Sequence, residues 1–156
     1  MRVNKKKFIY LISPNKIKKS FYNDLTEVLK LRKVSFFQLR LKNTSFKNKL
    51  LIGGKIKKIC KDNNTKFIIN DDVLLAKKLN ADGCHLGQKD TKITEARKIL
   101  KKKIIGITCH NSIKLAKSAI KNKADYLAIG AFYPTKTKKV IFRADLRLLK
   151  LSLIHI

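Results

Sequence analysis

The chain has 156 residues, 44% of them hydrophobic, which predicts one domain with a sizeable core. Its 38 Lys and Arg residues against 10 Asp and Glu residues give a formal net charge of +28. Such a charge is typical of proteins that bind polyanions. The lysines, however, are spread along the whole chain without a long basic tail, so we expect no dedicated nucleic-acid partner. The positive field would still help to collect phosphorylated substrates.

The cysteines and the apolar segments indicate the compartment. Cys60, Cys84 and Cys109 have neither close pairing nor the spacing of metal ligands, which fits a reducing environment. The apolar run Phe8–Ile12 is too short for a signal peptide. No window of the sequence is apolar over the length that a membrane span needs. We therefore expect a cytoplasmic protein without a membrane partner.

Short apolar, β-branched runs alternate with segments of helical periodicity along the chain. The predicted strands are Phe8–Ile12, Val34–Leu39, Lys66–Ile69, Gly83–Leu86, Ile104–Thr108 and Tyr126–Ile129. Because these runs are continuously apolar, they predict a parallel sheet covered by helices. An open doubly wound sheet and a (β/α)8 barrel both fit this α/β pattern. The first strand lacks a following G-x-G-x-x-G turn, which disfavours dinucleotide binding.

Polar residues follow five of the predicted strands. In both architectures the functional site lies at the carboxyl ends of the strands. At the second strand Gln38, Arg40 and Lys42 alternate with Leu39 and Leu41, so the polar three share one face and the leucines the other. The other strand ends carry Asn70–Asp72, Gly87–Asp90, Thr108–Asn111 and Gly130–Lys138.

These strand ends combine cations with carboxylates, as a diphosphate site requires. Arg40, Lys42 and Lys138 are cationic donors that can bind phosphate oxygens. Asp71 and Asp90 are hard oxygen ligands of the kind that holds Mg²⁺ together with substrate phosphates. Such a set neutralises the charge on a departing pyrophosphate. We therefore predict that Asp71 and Asp90 bind Mg²⁺.

Three further polar residues have competing interpretations. Asp72 precedes an apolar periodic run and is expected to cap a helix. His85 lies inside a strand pattern and is expected to be a core residue rather than a ligand. His110 lies at a strand end with neither a carboxylate nor a catalytic partner nearby, and its role stays open.

Five segments in order resemble the thiamine phosphate synthase family. They are QLRLK (38–42), IINDD (68–72), ADGCHLGQKD (81–90), IIGITCHNS (104–112) and ADYLAIGAFYPTKTKK (124–139). The resemblance implies a TIM-type (β/α)8 barrel. It also implies a transferase of thiamine biosynthesis that joins 4-amino-2-methyl-5-(diphosphooxymethyl)pyrimidine to thiazole phosphate and releases pyrophosphate.

The resemblance also implies roles for individual residues. The substrate-binding positions would be Gln38, Leu39, Arg40, Leu41, Lys42, Asn70, Thr108, Thr135, Lys136, Thr137 and Lys138. Of these, Gln38, Arg40, Lys42 and Asn70 would hold the pyrimidine diphosphate. Thr108, where the family usually has Ser, would lie beside the pyrimidine.

The remaining implied roles concern the second substrate and catalysis. Thr135 and Thr137 would contact the thiazole phosphate, and Lys138 the diphosphate. The catalytic set would be Arg40, Lys42, Lys138 and Thr108, with Mg²⁺ as the cofactor. The family reaction is dissociative, so no general base is essential.

The chain departs from the family pattern after its sixth strand. Phe142–Leu153 resembles the family's sixth helix, and strands seven and eight do not follow. We therefore expect residues 1–156 to form a single, incomplete barrel domain of about six βα units, as a truncated product or fragment. Its first and sixth strands would be unpaired edges. Lower stability, self-association through those edges and weak thiazole phosphate binding would follow.

Three competing functions fit parts of the sequence. A sister family with the same fold tautomerises a thiazole carboxylate phosphate, and there the residue at His110 would act as the acid–base catalyst. That reaction needs no diphosphate site, so Arg40, Lys42, Asp71 and Asp90 favour the synthase. A basic nucleic-acid-binding protein would fit the net charge, and an inactive remnant of the enzyme would keep the motifs without the activity.

Overall fold

The computed structural model describes residues 8–133 and 143–144. Within these ranges, strands and helices alternate from the first element to the last. The strands are β1 (Ile9–Ile12), β2 (Val34–Leu39), β3 (Lys66–Asn70), β4 (Gly83–Leu86), β5 (Ile104–His110) and β6 (Tyr126–Ile129). The helices are α1 (Phe21–Lys30), α2 (Phe46–Asp62), α3 (Val73–Lys78), α4 (Ile93–Leu100) and α5 (Ile113–Lys121).

The described strands form one parallel sheet in chain order, β1-β2-β3-β4-β5-β6. A doubly wound sheet reverses its strand order at a switch point, and this order has no reversal. The sheet is also strongly curled, because the hydroxyl oxygens of Tyr10 in β1 and Tyr126 in β6 are 2.7 Å apart. The architecture is therefore that of a TIM-type barrel, of which the described residues form five βα units and a sixth strand.

The hydrophobic core lies between the sheet and its helices. In β2 and the residues after it, Phe37, Leu39 and Leu41 are buried in this core. Phe67 and Ile105 occupy equivalent buried places in the next strands. Because neighbouring side chains of a strand point to opposite faces, this packing directs the alternate residues of β2 to the inside of the barrel.

Side chains cap the starts of several helices. The Oδ1 atom of Asp72 accepts the backbone N–H of Leu75 at 2.9 Å, so the prediction that Asp72 caps α3 is confirmed. The hydroxyl of Ser112 accepts the N–H of Leu115 at the start of α5. These caps fix where each helix leaves the carboxyl end of the preceding strand.

A repeated aspartate ties the strands together at their amino ends. Asp82 precedes β4, and its Oδ2 accepts the N–H of Phe67 in β3 at 2.9 Å. Asp125 precedes β6, and its Oδ2 accepts the N–H of Ile105 in β5 at 2.7 Å. Arg97 of α4 donates to the same Asp125 oxygen. Each aspartate thus fixes the register of a strand against its neighbour.

No helix in the described part of the chain is long and apolar enough to cross a membrane. The predicted helix Phe142–Leu153 lies outside the described residues apart from Arg143 and Ala144.

Candidate active site

A cavity of about 1190 Å³ lies against the inner face of the sheet and reaches the carboxyl ends of its strands. The sequence-predicted residues that line it are Gln38, Arg40, Lys42, Asn70, Asp71, Thr108 and His110. The alternation in β2 therefore has the expected result, because its polar residues face the cavity and its leucines do not. The structure places the side chains of Leu39 and Leu41 in the core, where they are only 3% and 9% exposed.

The loop after β1 holds the residues that follow β2. The backbone N–H of Ser13 donates to the carbonyl of Gln38 at 2.9 Å. The hydroxyl of Ser13 accepts the N–H of Arg40, and Asn15 accepts a hydrogen bond from the Arg40 guanidinium, both at 2.9 Å. These contacts keep Arg40 on the cavity side although the strand has already ended.

Asp71 and Asp90 come from different strand ends and lie side by side. Asp71 has a positive φ of 66°, a conformation that costs energy in a non-glycine residue. Its N–H donates to the carbonyl of His85 at 2.7 Å, which holds the backbone in place. The Oδ2 atom of Asp90 accepts the N–H of Gly87 at 2.6 Å. The two carboxyl groups are close enough for Asp90 to shift the pKa of Asp71 upward.

The electrostatics of Asp71 depend on its burial and on the charges of Asp90, Lys42 and Arg40. Burial, followed by the hydrogen bond and the charge of Asp90, raises the pKa of Asp71 from 3.8 to about 6. The positive charges of Lys42 and Arg40 act in the opposite direction and lower the pKa. The cations and the carboxylates that the sequence singles out are therefore close enough to interact.

The carboxylate pair fits a magnesium ion that shares its coordination with a substrate. Among the described residues no group of three His, Cys, Asp or Glu side chains surrounds a common point. Mg²⁺ usually takes one or two carboxylates and completes its octahedron with phosphate oxygens and water. The donor set of Asp71 and Asp90 matches that requirement.

A continuous set of hydrogen bonds, here called the polar chain, crosses the floor of the cavity. It takes one side chain from each described strand, in the bonding order Thr108, His85, Tyr126, Tyr10, Gln38 and Asn70. His85 bonds Thr108 through Nε2 at 2.8 Å and Tyr126 through Nδ1 at 2.9 Å. The Tyr10 hydroxyl donates to Oε1 of Gln38 at 2.8 Å, and Nε2 of Gln38 donates to Asn70.

Tyr126 occupies the middle of the polar chain because its neighbour in β5 is a glycine. Gly106 pairs with Tyr126 in the sheet, and a Cβ atom at Gly106 would overlap the tyrosine ring. The ring also stacks on His85, with centroids 5.5 Å apart. The missing side chain at Gly106 thus makes room for an aromatic ring inside the barrel.

Several predicted residues have other outcomes. His110 lines the cavity at a bulge between β5 and β6, with a positive φ of 51°. His85 is buried, as predicted, and it also belongs to the polar chain. Thr135, Lys136, Thr137 and Lys138 lie outside the described residues.

Sequence reasoning missed four residues that shape the site. It places Tyr10 and Tyr126 only in strands, and Ser13 and Asn15 only in a loop. Tyr10 and Tyr126 lie at or near the start of apolar runs, and the hydroxyl of each can form a hydrogen bond. Their alternation with apolar neighbours was the one available signal. Alternation alone does not tell which face of a buried parallel strand points to the barrel interior.

The family model described as thiamine monophosphate synthase matches residues 9–151 of the chain. The chain belongs to this family. It is 67% identical over 153 residues to a thiamine-phosphate synthase of Pelagibacter ubique, covering 96% of this chain and 74% of that protein. A thiamine-phosphate synthase of Erythrobacter litoralis is 39% identical over 133 residues, covering 83% of this chain and 62% of that protein.

A solved structure shows the same fold. The thiamine phosphate pyrophosphorylase of Pyrococcus furiosus superposes with a TM-score of 0.81 at 28% identity, over 96% of this chain and 70% of that chain. The predictions of the family and of the TIM-type fold are thus confirmed. The relatives share the name of the synthase, and neither the isomerase nor the nucleic-acid-binding function is favoured.

Proposed function

We propose that this chain is a Mg²⁺-dependent transferase that joins 4-amino-2-methyl-5-(diphosphooxymethyl)pyrimidine to thiazole phosphate, with release of pyrophosphate. The observation that carries the proposal is the convergence of Arg40 and Lys42 on the carboxylate pair of Asp71 and Asp90. The membership of the synthase family supports the same reaction.

In this proposal the cations of the second strand end bind the diphosphate. Arg40 can hold two phosphate oxygens at once, and its orientation is supported by Ser13 and Asn15. Lys42 adds a mobile charge from an exposed position at the rim. By the family resemblance, Lys138 would contact the same diphosphate.

Asp71 and Asp90 would hold the metal ion. When bound, Mg²⁺ would neutralise charge on the diphosphate oxygens. The close pair of carboxylates favours this role, since two like charges at short range are stabilised by a cation between them.

The pyrimidine would lie deeper, against the polar chain. Gln38, Asn70 and Thr108 line this part of the cavity and offer amide and hydroxyl groups. By the resemblance, Thr135 and Thr137 would bind the thiazole phosphate, which has to approach from the open side of the pyrimidine.

The reaction follows from the charges at the rim. The C–O bond between the methylene carbon and the diphosphate breaks, and pyrophosphate leaves with the bonding electrons. Arg40 and Lys42 stabilise the negative charge that grows on the leaving group. The thiazole nitrogen then forms the new C–N bond with its lone pair. This nitrogen carries no proton, so the step needs no general base.

The test is an assay of the purified chain with both substrates and Mg²⁺, following thiamine phosphate and pyrophosphate together. We expect Arg40→Ala to lower kcat/KM for the pyrimidine diphosphate by about 100-fold, as for loss of one charge-stabilising donor. Arg32→Ala, at an exposed position outside the cavity, is the matched control and should keep full activity.

The metal is tested separately. Asp90→Asn should raise the Mg²⁺ concentration needed for half-maximal rate by at least about tenfold, a typical cost of altering a metal site. Asp62→Asn changes an exposed aspartate paired only with Lys58 among the described contacts, and should leave that concentration unchanged. No coupling by the wild-type chain, or an equal rate in EDTA, would contradict the proposal.

A further inference from the structure

The amide of Gln38 points its Oε1 toward Tyr10 and its Nε2 toward Asn70, and this orientation sets the order of hydrogens along the polar chain. Tyr10 donates its only hydroxyl hydrogen to Oε1 of Gln38, so its oxygen must accept from Tyr126. Tyr126 then has no hydrogen left for His85, and its oxygen accepts from Nδ1–H of the imidazole.

The same logic continues to both ends of the polar chain. A neutral imidazole that carries its hydrogen on Nδ1 is an acceptor at Nε2, so the hydroxyl of Thr108 donates to it. The Thr108 oxygen is left with lone pairs as its free hydrogen-bonding capacity. At the other end the Nε2 amide of Gln38 donates to Oδ1 of Asn70. The hydrogens that are still free to donate there lie on the amide nitrogens of Gln38 and Asn70.

We propose that this one-way order sets the polarity of the pyrimidine pocket, with an acceptor at Thr108 and donors at Gln38 and Asn70, and that Tyr10 and Tyr126 are positioning residues which maintain it. The proposal rests on the proposed function, because it assumes that the pyrimidine lies against the polar chain. Neither tyrosine needs to touch the substrate for this effect.

The polarity matches an aminopyrimidine and opposes its oxo analogue. An aminopyrimidine carries an amino donor beside ring-nitrogen acceptors. A 4-oxopyrimidine has a carbonyl acceptor and an N–H donor at the corresponding atoms. Its carbonyl would face the acceptor of Thr108, and its N–H would face the donors of Gln38 and Asn70. A site that leaves buried polar groups unpaired rejects a ligand far more strongly than one that only loses apolar contact.

The arrangement has structural support on both sides of Tyr126. The tyrosine ring lies over Gly106, stacks on His85 and packs beside Tyr10, with centroids 5.5 Å and 5.7 Å away from those two rings. Burial raises the pKa of Tyr10 to about 12 and raises that of Tyr126 as well, so both hydroxyls keep their hydrogens at neutral pH.

The first experiment reads the hydrogen order without any substrate. In wild-type chain labelled with ¹⁵N-histidine, NMR should show His85 as the neutral Nδ1–H tautomer. In Tyr10→Phe the hydroxyl of Tyr126 loses its acceptor, turns to Nδ1 of His85 and shifts the imidazole toward the Nε2–H tautomer. Tyr22→Phe, the same change in α1, should leave the His85 signals as in wild type.

This measurement separates the proposal from the proposed function. A wild-type His85 that is cationic or in the Nε2–H form would overturn the proposed order. So would an unchanged tautomer in Tyr10→Phe, which shares no direct hydrogen bond with His85 among the described contacts. Either result stands whether or not the chain is an active synthase.

The second experiment measures selectivity by calorimetry in the presence of Mg²⁺. Wild-type chain should bind the aminopyrimidine diphosphate at least about tenfold more tightly than its 4-oxo analogue, as expected for one unpaired polar group. Tyr10→Phe and Tyr126→Phe should lose most of this preference, while their affinity for pyrophosphate stays unchanged. Equal selectivity in wild type and both variants, or no preference in wild type, would overturn the proposal.

Discussion

The hydroxyl oxygens of Tyr10 and Tyr126 lie 2.7 Å apart although β1 and β6 are at opposite ends of the described sheet. In a flat sheet, strands separated by five intervals would lie roughly 24 Å apart. The contact therefore depends on the curl of the sheet, which brings first and last strands face to face across the cavity. It closes the polar chain into one network, so whatever moves Tyr126 should disturb both the fold and the pocket.

Replacing Gly106 should show this dependence directly. A Cβ atom at Gly106 would overlap the Tyr126 ring, so Gly106→Ala must displace the ring or separate β5 from β6. We expect a loss of about 1–3 kcal/mol in the free energy of unfolding, as for other overpacked interiors. Urea denaturation followed by circular dichroism measures it.

Gly54→Ala is the matched control for this substitution. Gly54 lies in α2, where an added Cβ atom meets no other atom within 4 Å. Alanine in an open helical position should raise the free energy of unfolding by about 0.5–1 kcal/mol. If Gly106→Ala is as stable as wild type, or gains stability as Gly54→Ala should, the ring of Tyr126 does not depend on the space above Gly106.

The carboxylate pair should make stability depend on pH in the absence of divalent ions. Burial and the neighbouring Asp90 raise the pKa of Asp71 from 3.8 to about 6, so the folded chain holds this proton more tightly than the unfolded chain. The stabilisation is fully present below pH 3.8 and is lost as the pH rises through about 6.

Other carboxylates titrate over the same range, so the useful quantity is a difference between variants. In EDTA, the urea midpoint of wild type relative to Asp71→Asn should fall as the pH rises from about 4 to 7. Asp62→Asn at an exposed ion pair is the control, and its difference from wild type should show no such fall. A difference for Asp71→Asn that stays constant with pH would contradict the raised pKa.

Much of the fold could be predicted from the sequence because its strands are buried on both faces. Continuous apolar runs bounded by polar residues gave the bounds of β2, β4 and β6 without error. β5 continues to His110, two residues beyond the predicted end, because a bulge opposite β6 carries the strand past Thr108. A bulge depends on the neighbouring strand and leaves no periodic signal of its own.

The residues at the rim of the cavity could be named from the sequence. On its floor Gln38, Asn70 and Thr108 could be named, but not the hydrogen-bond network that joins them. Arg40 and Asp71 each come directly after a strand. A charged residue at the end of an apolar run can be recognised from that one stretch of sequence. The polar chain, in contrast, depends on which strands the barrel brings together, above all β1 and β6. That proximity comes from the curl of the sheet, so Tyr10 and Tyr126 could be placed on strands but not joined to each other.

The cysteines should be unreactive in the native chain. Cys60, Cys84 and Cys109 are buried and free, and desolvation raises the pKa of all three, to about 12 for Cys60 and about 11 for Cys109. The thiolate is the reactive form, so the native thiols should react with iodoacetamide at pH 8 at least about 100-fold more slowly than the guanidinium-denatured chain.

An exposed thiol provides the comparison. Ser20 precedes α1, is exposed and makes no side-chain capping bond, so Ser20→Cys should add one rapidly alkylated thiol without altering the fold. Mass spectrometry after a short reaction should therefore find one label on Ser20→Cys and none on wild type. Rapid labelling of wild type would show that the helix-covered side of the sheet opens readily.

The aspartate before β6 should contribute to stability mainly through the backbone bond that it accepts. Asp125→Ala leaves the N–H of Ile105 without its acceptor and removes the ion pair with Arg97, and should cost about 1–3 kcal/mol. Asp125→Asn keeps an acceptor oxygen and loses only a partly exposed ion pair, so it should recover all but about 1 kcal/mol. Urea unfolding of both variants decides between the two contacts. If Asp125→Asn is as unstable as Asp125→Ala, the ion pair rather than the backbone bond holds β5 to β6.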